Sequence, residues 1–535
     1  MSANKIIERV RHTTDLQSGH MFFDSFYAGI FNLLIKQLTE HNRHEEALFW
    51  MDEVKNLSSF AFFNNPALKS SILTESELTH DYALRNRIER LRSEMIHAEG
   101  QRRYELNNQL VEATSQQNML RRKVLQHIDL EPFNFAKIRR QLRRSDIILY
   151  FSLFEDDLYA STITSGSFDI HHIPFSEQEL ERVDKLVESL SGDRIRLKEL
   201  EWFRSKVIDV LNIDDRHSNY YVIPDGFLYH IPLEILPLNS VSGDYSYGEA
   251  TYLIEHASVS YANSLKDLEA AFDHTPATAH SLDFLGFGIS HFEGQESRLM
   301  TGRNLPPLPL AEREVTEISN RLDRLTNNVY HHSQTSTKNA FRNYSGKSRI
   351  LHLASHSEVF ETDPLYSPIY MSPERPESNP EGNAESGLIY AYELFGMDLS
   401  NEMVMLNSCE SGSGNYIQGS GIVGFSRAFN YAGVKSLVMN LWTIRDQSAY
   451  ELSVSFYANL NEGMEKSEAM RQAKIAYMNS ANSNPSYWGS FVIYGSNDPV
   501  VKSFNFWLAG IALFAIGLLT LLLTWIRLPG IHSRH

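Results

Sequence analysis

Two residues of this sequence, Cys409 and His356, stand where nucleophilic catalysis would need them. Cys409 is the only cysteine of the chain and follows the apolar run 403–406, while His356 follows the apolar run 350–354. A thiolate attacks a peptide carbonyl, and a neighbouring imidazole takes the thiol proton and later protonates the leaving amine. The pair indicates a cysteine peptidase. The alternative is that the thiol is a small buried hydrophobe and the histidine a satisfied polar residue.

Both residues are predicted to lie at the end of a strand. Each apolar run is short and aliphatic, which is typical of a buried parallel strand. In open α/β sheets the chemistry collects just beyond the carboxyl ends of the strands. The histidine lies about fifty residues upstream of the cysteine, a spacing typical of caspase-type proteases, although the caspase pentapeptide is absent.

Composition limits the possible classes of protein. A chain of 535 residues predicts two or three domains, and its 42% hydrophobic content is ample for a core. The 49 basic and 66 acidic residues give a formal charge of −17, which argues against a general nucleic-acid binder. One cysteine excludes an intramolecular disulfide and fits a reducing compartment.

The first 130 residues are predicted to be helical. Leu33, Leu34 and Leu38 repeat at helical spacing, and a second amphipathic segment opens near Glu45, so the region up to residue 70 resembles one degenerate tetratricopeptide repeat. From 71 to 130 a heptad seam predicts a helical hairpin or a partner-binding coiled coil. A helix laid on the body of the same protein is the alternative. The seam is formed by Leu84, Ile88, Leu91 and Met95.

From Ser145 onward short strand patterns appear, and between Arg349 and Tyr494 they alternate with helical stretches. This alternation predicts an α/β fold with a mostly parallel sheet flanked by helices. The stretch 372–386, rich in Pro, Glu, Asn and Gly, predicts a loop that either borders a substrate groove or is an idle surface insertion.

The C-terminus suggests a membrane anchor. Residues 506–526 contain no charge and no Pro, and Trp507 and Trp525 stand at the two ends. Twenty-one residues at about 1.5 Å each would span a bilayer core. With no signal peptide at the N-terminus, we expect one C-terminal transmembrane helix, a tail-anchored single-pass topology and a cytoplasmic peptidase domain.

Several windows, in order between Ser145 and Ser496, together resemble the CHAT domain, a bacterial branch of the caspase-like cysteine peptidases that often follows tetratricopeptide repeats. They are Tyr221 to Glu234 with its Pro-Asp-Gly, Tyr252 to His256 with Tyr261 to Leu265, Leu305 to Pro309 with Glu312 and Glu314, Leu351 to His356, Leu406 to Gly412, Gly421 to Gly433 with Leu441, Trp442 and Asp446, and Pro485 to Phe491.

The resemblance implies a caspase-like fold with His356 and Cys409 as the catalytic pair. It also implies an oxyanion hole built from the backbone N–H groups of Ser357 and Cys409. Many members have Gly or another small residue where this chain has Ser357, and Ser lacks glycine's freedom at positive φ. Asp446 could offer a carboxylate to a basic substrate residue, although capping of the helix from Ser448 is the favoured role.

These patterns predict four regions: 1–70 with tetratricopeptide-like helices, 71–130 with a long helical or coiled-coil segment, 145–497 with the peptidase domain and 506–526 with the anchor. Within the domain, 145–275 is the pseudo-caspase half and 280–497 the catalytic half. No cofactor is expected, and no spacing typical of metal ligands is recognisable.

Two functions are compatible with the sequence. The first is a membrane-anchored endopeptidase that cleaves a specific partner protein in a bacterial signalling or defence pathway. Its partners would be a protein substrate, which the resemblance suggests is encoded by a neighbouring gene, a regulatory protein docked on the N-terminal helices, and the membrane. The second is a non-catalytic caspase-like scaffold that docks partners through those helices.

Overall fold

The structure is a computed structural model of the chain. It describes residues 28–57, 72–96, 100–126, 133–192, 194–273, 279–292, 295, 304–359, 367–373, 387–394, 397–409, 423–480 and 482–501. Of the predicted loop 372–386, residues 374–386 lie outside the described residues, as does Glu410.

The described residues 28–57 form two helices. Helices α1 (Ala28–Glu40) and α2 (His44–Leu57) form a short antiparallel pair around Asn42, whose φ is 56°. The pair buries Phe31, Ile35, Leu48 and Met51 against the sheet. Of the leucines predicted to form its apolar face, Leu38 is buried but Leu33 is exposed.

Helices α3 (Glu75–Ile96) and α4 (Gly100–Gln126) pack against each other as a hairpin. Three residues of the heptad seam, Leu84, Ile88 and Leu91, are buried against Leu106 and Ala113. The hairpin therefore has a small apolar core of its own.

The body of the chain is organised around one large sheet, whose strands come from runs of aliphatic and aromatic residues. Its strands, with the short pair β9 and β10, are β1 (Asp146–Phe154), β2 (Asp157–Ile163), β3 (Phe168–Pro174), β4 (Asn219–Ile223), β5 (Ser258–Tyr261), β6 (Leu282–Gly288), β7 (Asn328–His331), β8 (Ser348–His356), β9 (Pro368–Tyr370), β10 (Leu388–Tyr390), β11 (Met403–Cys409), β12 (Ser436–Asn440) and β13 (Phe491–Gly495).

The large sheet has eleven strands in the order β3-β2-β1-β4-β5-β13-β12-β11-β8-β6-β7. Among its described strands, β1 and β2, β2 and β3, and β12 and β13 pair antiparallel, and the other neighbours pair parallel. The prediction of a mostly parallel sheet is confirmed. A parallel pairing of Tyr494 with Tyr261 joins β13 to β5, so both halves share one sheet.

Helices cover both faces of this sheet, and its strands are therefore buried on both sides. They are α5 (Phe135–Gln141), α6 (Glu177–Leu190), α7 (Leu197–Phe203), α8 (Leu253–His256), α9 (Leu265–Phe272), α10 (Ala311–Arg321), α11 (Lys338–Tyr344), α12 (Ala391–Leu394), α13 (Val423–Tyr431), α14 (Asp446–Asn461) and α15 (Lys466–Ser480). The helical stretches predicted between Arg349 and Tyr494 include α13, α14 and α15.

The prediction of a transmembrane helix is wrong for the structure as described. No helix in the described part of the chain is long and apolar enough to cross a bilayer. The longest helices, α3 and α4, have the length, but charged side chains occur along both. Residues 506–526 lie outside the described residues. The tail-anchored location, the cytoplasmic placement and the membrane as a partner rested on that helix, and all three are corrected with it.

Candidate active site

The structure places the two catalytic candidates side by side. Strands β8 and β11 are parallel neighbours, and their register pairs His356 with Cys409 at the last position of both strands. The two backbone positions are therefore adjacent at the carboxyl edge of the sheet, where α/β sheets commonly place their chemistry.

The imidazole of His356 contacts two residues that precede α10 in the sequence, Pro306 and Phe292. Its Nε2 lies 2.8 Å from the carbonyl oxygen of Pro306, and the Phe292 ring packs 4.6 Å away, centroid to centroid. A carbonyl can only accept a hydrogen bond, so the proton is on Nε2 and the neutral ring has an unprotonated Nδ1.

The electrostatics of His356 favour the neutral ring. The residue is only 5% exposed. Burial lowers the pKa of His356 below its ordinary value, while the Pro306 carbonyl and the carboxylate of Glu358 oppose that shift. Glu358 is itself buried, and the hydroxyl of Tyr370 donates to its Oε2 at 2.6 Å. The neutral ring is the form of an imidazole that can accept a proton.

Ser357 lies immediately beyond β8 and is fully buried. Its hydroxyl is 2.5 Å from the hydroxyl of Ser408, so the residues next to both catalytic candidates contact each other. Ser357 is not among the described non-glycine residues with positive φ, which removes the concern that this position requires glycine. The bridge between Ser357 and Ile369 of β9 uses the backbone N–H of Glu358, which donates to the Pro368 carbonyl at 3.1 Å.

Asp446 has a different structural role from the one predicted. It is the first residue of α14, and its Oδ2 accepts a hydrogen bond from the backbone N–H of Leu310 at 3.0 Å. The carboxylate therefore joins the starts of α14 and α10 instead of capping its own helix. Its Oδ1 makes no hydrogen bond to any described residue. Burial raises the pKa of Asp446, as expected for a partly desolvated carboxylate.

Sequence reasoning missed the groups that contact His356. The Pro306 carbonyl and Phe292 come from loops that no local pattern directs toward His356. The buried polar residues His352 and Asn407 do have a signal, since His352 lies inside the apolar run 350–354 and Asn407 directly follows the apolar run 403–406. Within the described residues no three His, Cys, Asp or Glu side chains come together as metal ligands would.

Comparison with known proteins identifies the family. The model of the CHAT domain matches residues 198–496, more than half of the chain. Tetratricopeptide repeat protein 28 of Mus musculus is 24% identical over 316 residues, which cover 53% of this chain and 12% of the mouse protein. The human protein of the same name is 28% identical over 111 residues, covering 21% of this chain and 4% of its own. The chain thus spans a small part of these relatives.

Two solved structures are similar at low sequence identity. The Arg specific cysteine proteinase gingipain R is 9% identical with a TM-score of 0.36, covering 62% of this chain and 77% of its own. The Saccharomyces cerevisiae separase–securin complex gives 10% identity and a TM-score of 0.43, covering 92% of this chain and 40% of that one. On the match of its family model, this chain belongs to the CHAT domain family.

Proposed function

We propose that the chain is a cysteine endopeptidase that uses Cys409 as nucleophile and His356 as general base to cut a specific partner protein. The observation that supports the proposal most is the register of β8 and β11, which ends both strands on this pair. Membership of the CHAT domain family adds the peptidase-like fold.

The mechanism follows from the state of the imidazole. With its proton on Nε2, a neutral His356 would accept the Cys409 proton on Nδ1, and the thiolate would attack the scissile carbonyl. The carbonyl oxygen would become an oxyanion, which the backbone N–H groups of Ser357 and Cys409 would stabilise. His356 would then return its proton to the leaving amine, and water would hydrolyse the thioester. The Pro306 carbonyl keeps the ring in the required tautomer.

For specificity we propose a basic residue before the scissile bond. Asp446 supports this, because one of its oxygens accepts from Leu310 N and the other has no hydrogen-bond partner among the described residues. A desolvated carboxylate discriminates strongly between charged and neutral partners, since leaving it without a cation is unfavourable. The substrate itself, the bacterial pathway and a regulator docked on the N-terminal helices stay predictions.

The alternative function is a non-catalytic scaffold. It would keep the same fold but leave Cys409 without an activated thiolate. A peptidyl acyloxymethyl ketone with lysine at its last position separates the two functions, because it alkylates an activated thiol in a peptide-binding cleft. Cys409 is the only cysteine, so intact mass reports its labelling directly.

The probe is applied to the wild type, to His356→Ala and to Cys409→Ala. The endopeptidase proposal expects a single adduct on the wild type, at least tenfold slower labelling of His356→Ala, and none on Cys409→Ala. If the wild type and His356→Ala label at the same rate, the pair is not a catalytic unit and the scaffold is favoured.

A further inference from the structure

A chain of buried polar side chains lies on the same face of the sheet as the catalytic pair. Counting back along alternate positions, His352 lies on β8 four residues before His356, and Asn407 lies on β11 two residues before Cys409. Both are buried. Asn440 of β12 extends the chain of contacts by donating to Asn407 Oδ1 at 3.0 Å, and Ser490 in turn donates to Asn440 at 2.9 Å.

One carboxylate oxygen, Oε1 of Glu314, contacts side chains from both β8 and β11. Glu314 of α10 is 1% exposed, and its Oε1 accepts a hydrogen bond from Asn407 Nδ2 at 2.7 Å. The same Oε1 lies 3.0 Å from His352 Nε2, which has no well-angled hydrogen bond of its own. Tyr457 of α14 lies against the other ring nitrogen, with 3.1 Å between its hydroxyl oxygen and His352 Nδ1.

Glu314 lies on α10, and α10 leads back to the catalytic histidine. The helix begins at Ala311, five residues after Pro306, whose carbonyl holds His356 Nε2. The intervening Leu310 is fixed by Asp446. A shift of α10 along the sheet would therefore move the acceptor that orients the imidazole.

A single acceptor atom thus lies within 3.0 Å of side chains on both strands, and it belongs to the helix that follows Pro306. We propose that Glu314 is a positioning residue of the peptidase, acting through Asn407 on the strand of Cys409 and through α10 and Pro306 on His356. The role depends on an acceptor at Oε1 and not on its negative charge. This inference rests on the proposed function of Cys409 and His356, and it names a residue that touches neither of them.

The test measures the alkylation rate of Cys409 by iodoacetamide, read by intact mass on the full chain, and the melting temperature of each variant. Glu314→Met removes the acceptor, whereas Glu314→Gln keeps an oxygen at the same place. The matched control is Glu402→Met. Glu402 contacts Arg349 at 3.0 Å and so joins the same two strands, but at their amino-terminal ends.

We expect Glu314→Met to slow alkylation by about ten- to a hundredfold, because small displacements of catalytic groups have effects of that order. Glu314→Gln should stay within about threefold of the wild type. Glu402→Met should lower the melting temperature and leave the alkylation rate within the same threefold. With a peptide substrate, the loss in Glu314→Met should fall on kcat with KM little changed.

The outcomes separate this inference from the proposed function. If Glu314→Met is folded and alkylates as fast as the wild type, or slows no more than Glu402→Met, Glu314 is structural and the inference is refuted. If wild-type Cys409 reacts no faster than in His356→Ala, the proposed function itself fails. Should Glu314→Met not fold, Asn407→Ala decides: it removes the donor to Oε1, and an unchanged alkylation rate refutes the inference.

Discussion

The buried ion pair between Lys474 and Glu234 offers a quantitative test of how the two halves of the domain are held together. Lys474 of α15 and Glu234, in the turn after β4, have side chains that are 0% and 3% exposed. The Lys474 ammonium donates to Glu234 Oε1 at 3.3 Å and to the Phe491 carbonyl at 2.7 Å. Burial lowers the pKa of Lys474, and Glu234 opposes the shift. Tyr261 donates to the second oxygen of Glu234 at 2.5 Å.

Replacing Lys474 by Met leaves a buried carboxylate whose remaining hydrogen bond within the described residues is the one from Tyr261. Breaking one side of a buried pair lowers the free energy of unfolding by about 3 to 5 kcal/mol. At roughly 2 °C per kcal/mol for a domain of this size, the melting temperature should fall by about 6 to 10 °C. The double variant Lys474→Met with Glu234→Gln removes both charges and keeps an acceptor for Tyr261. It should recover at least half of the loss.

The assay is chemical denaturation of the wild type, each single variant and the double variant at pH 7, analysed as a double-mutant cycle. If the double variant were no more stable than Lys474→Met alone, the loss would come from packing and the Phe491 carbonyl. The electrostatic reasoning would then be refuted.

Three further predictions concern single groups. Because burial lowers the pKa of His356, kcat/KM should fall toward low pH with an apparent pKa below about 6.5, and Phe292→Ala should move that limb upward; an unchanged limb would contradict the burial argument. Burial lowers the pKa of Lys466 to about 8, so above that pH the unfolded chain binds more protons than the folded one. The free energy of unfolding of the wild type should therefore rise by about 2 kcal/mol relative to Lys466→Met between pH 7.5 and 9.5. Parallel curves of unfolding free energy against pH for the two proteins would exclude the shift. Asp446→Asn should reduce the preference for Lys or Arg over neutral residues before the scissile bond by about tenfold or more in kcat/KM, and an unaltered preference would remove Asp446 from the specificity site.

The strands and the positions of the candidate pair were predictable because they follow from local patterns. Short aliphatic runs identify β8 and β11, and the edge rule for parallel sheets places His356 and Cys409 at their ends. What the sequence could not supply is long-range geometry. Leu310 and Asp446 are 136 positions apart, and only the fold shows that the carboxylate of one accepts from the backbone of the other.

The same limit explains the missed and mistaken predictions. Pro306 acts through its carbonyl, which every residue has, so nothing in its side chain announces the contact with His356. Glu314 is a charged residue that the sequence alone would place on a solvated helix face, yet it is buried under the sheet. The apolar segment 506–526 was judged by composition and length alone, and the described helices include no membrane span.

The central claim is that Cys409 cleaves peptide bonds with His356 as its base, and the most direct measurement is a comparison of newly formed protein N-termini. Host-cell lysate is incubated with the wild type, with Cys409→Ala and with His356→Ala, and N-terminal peptides are identified by mass spectrometry. The account predicts a small set of new N-termini, following basic residues, that appears only with the wild type. The same set with all three proteins, or no new N-terminus with any of them, would contradict it.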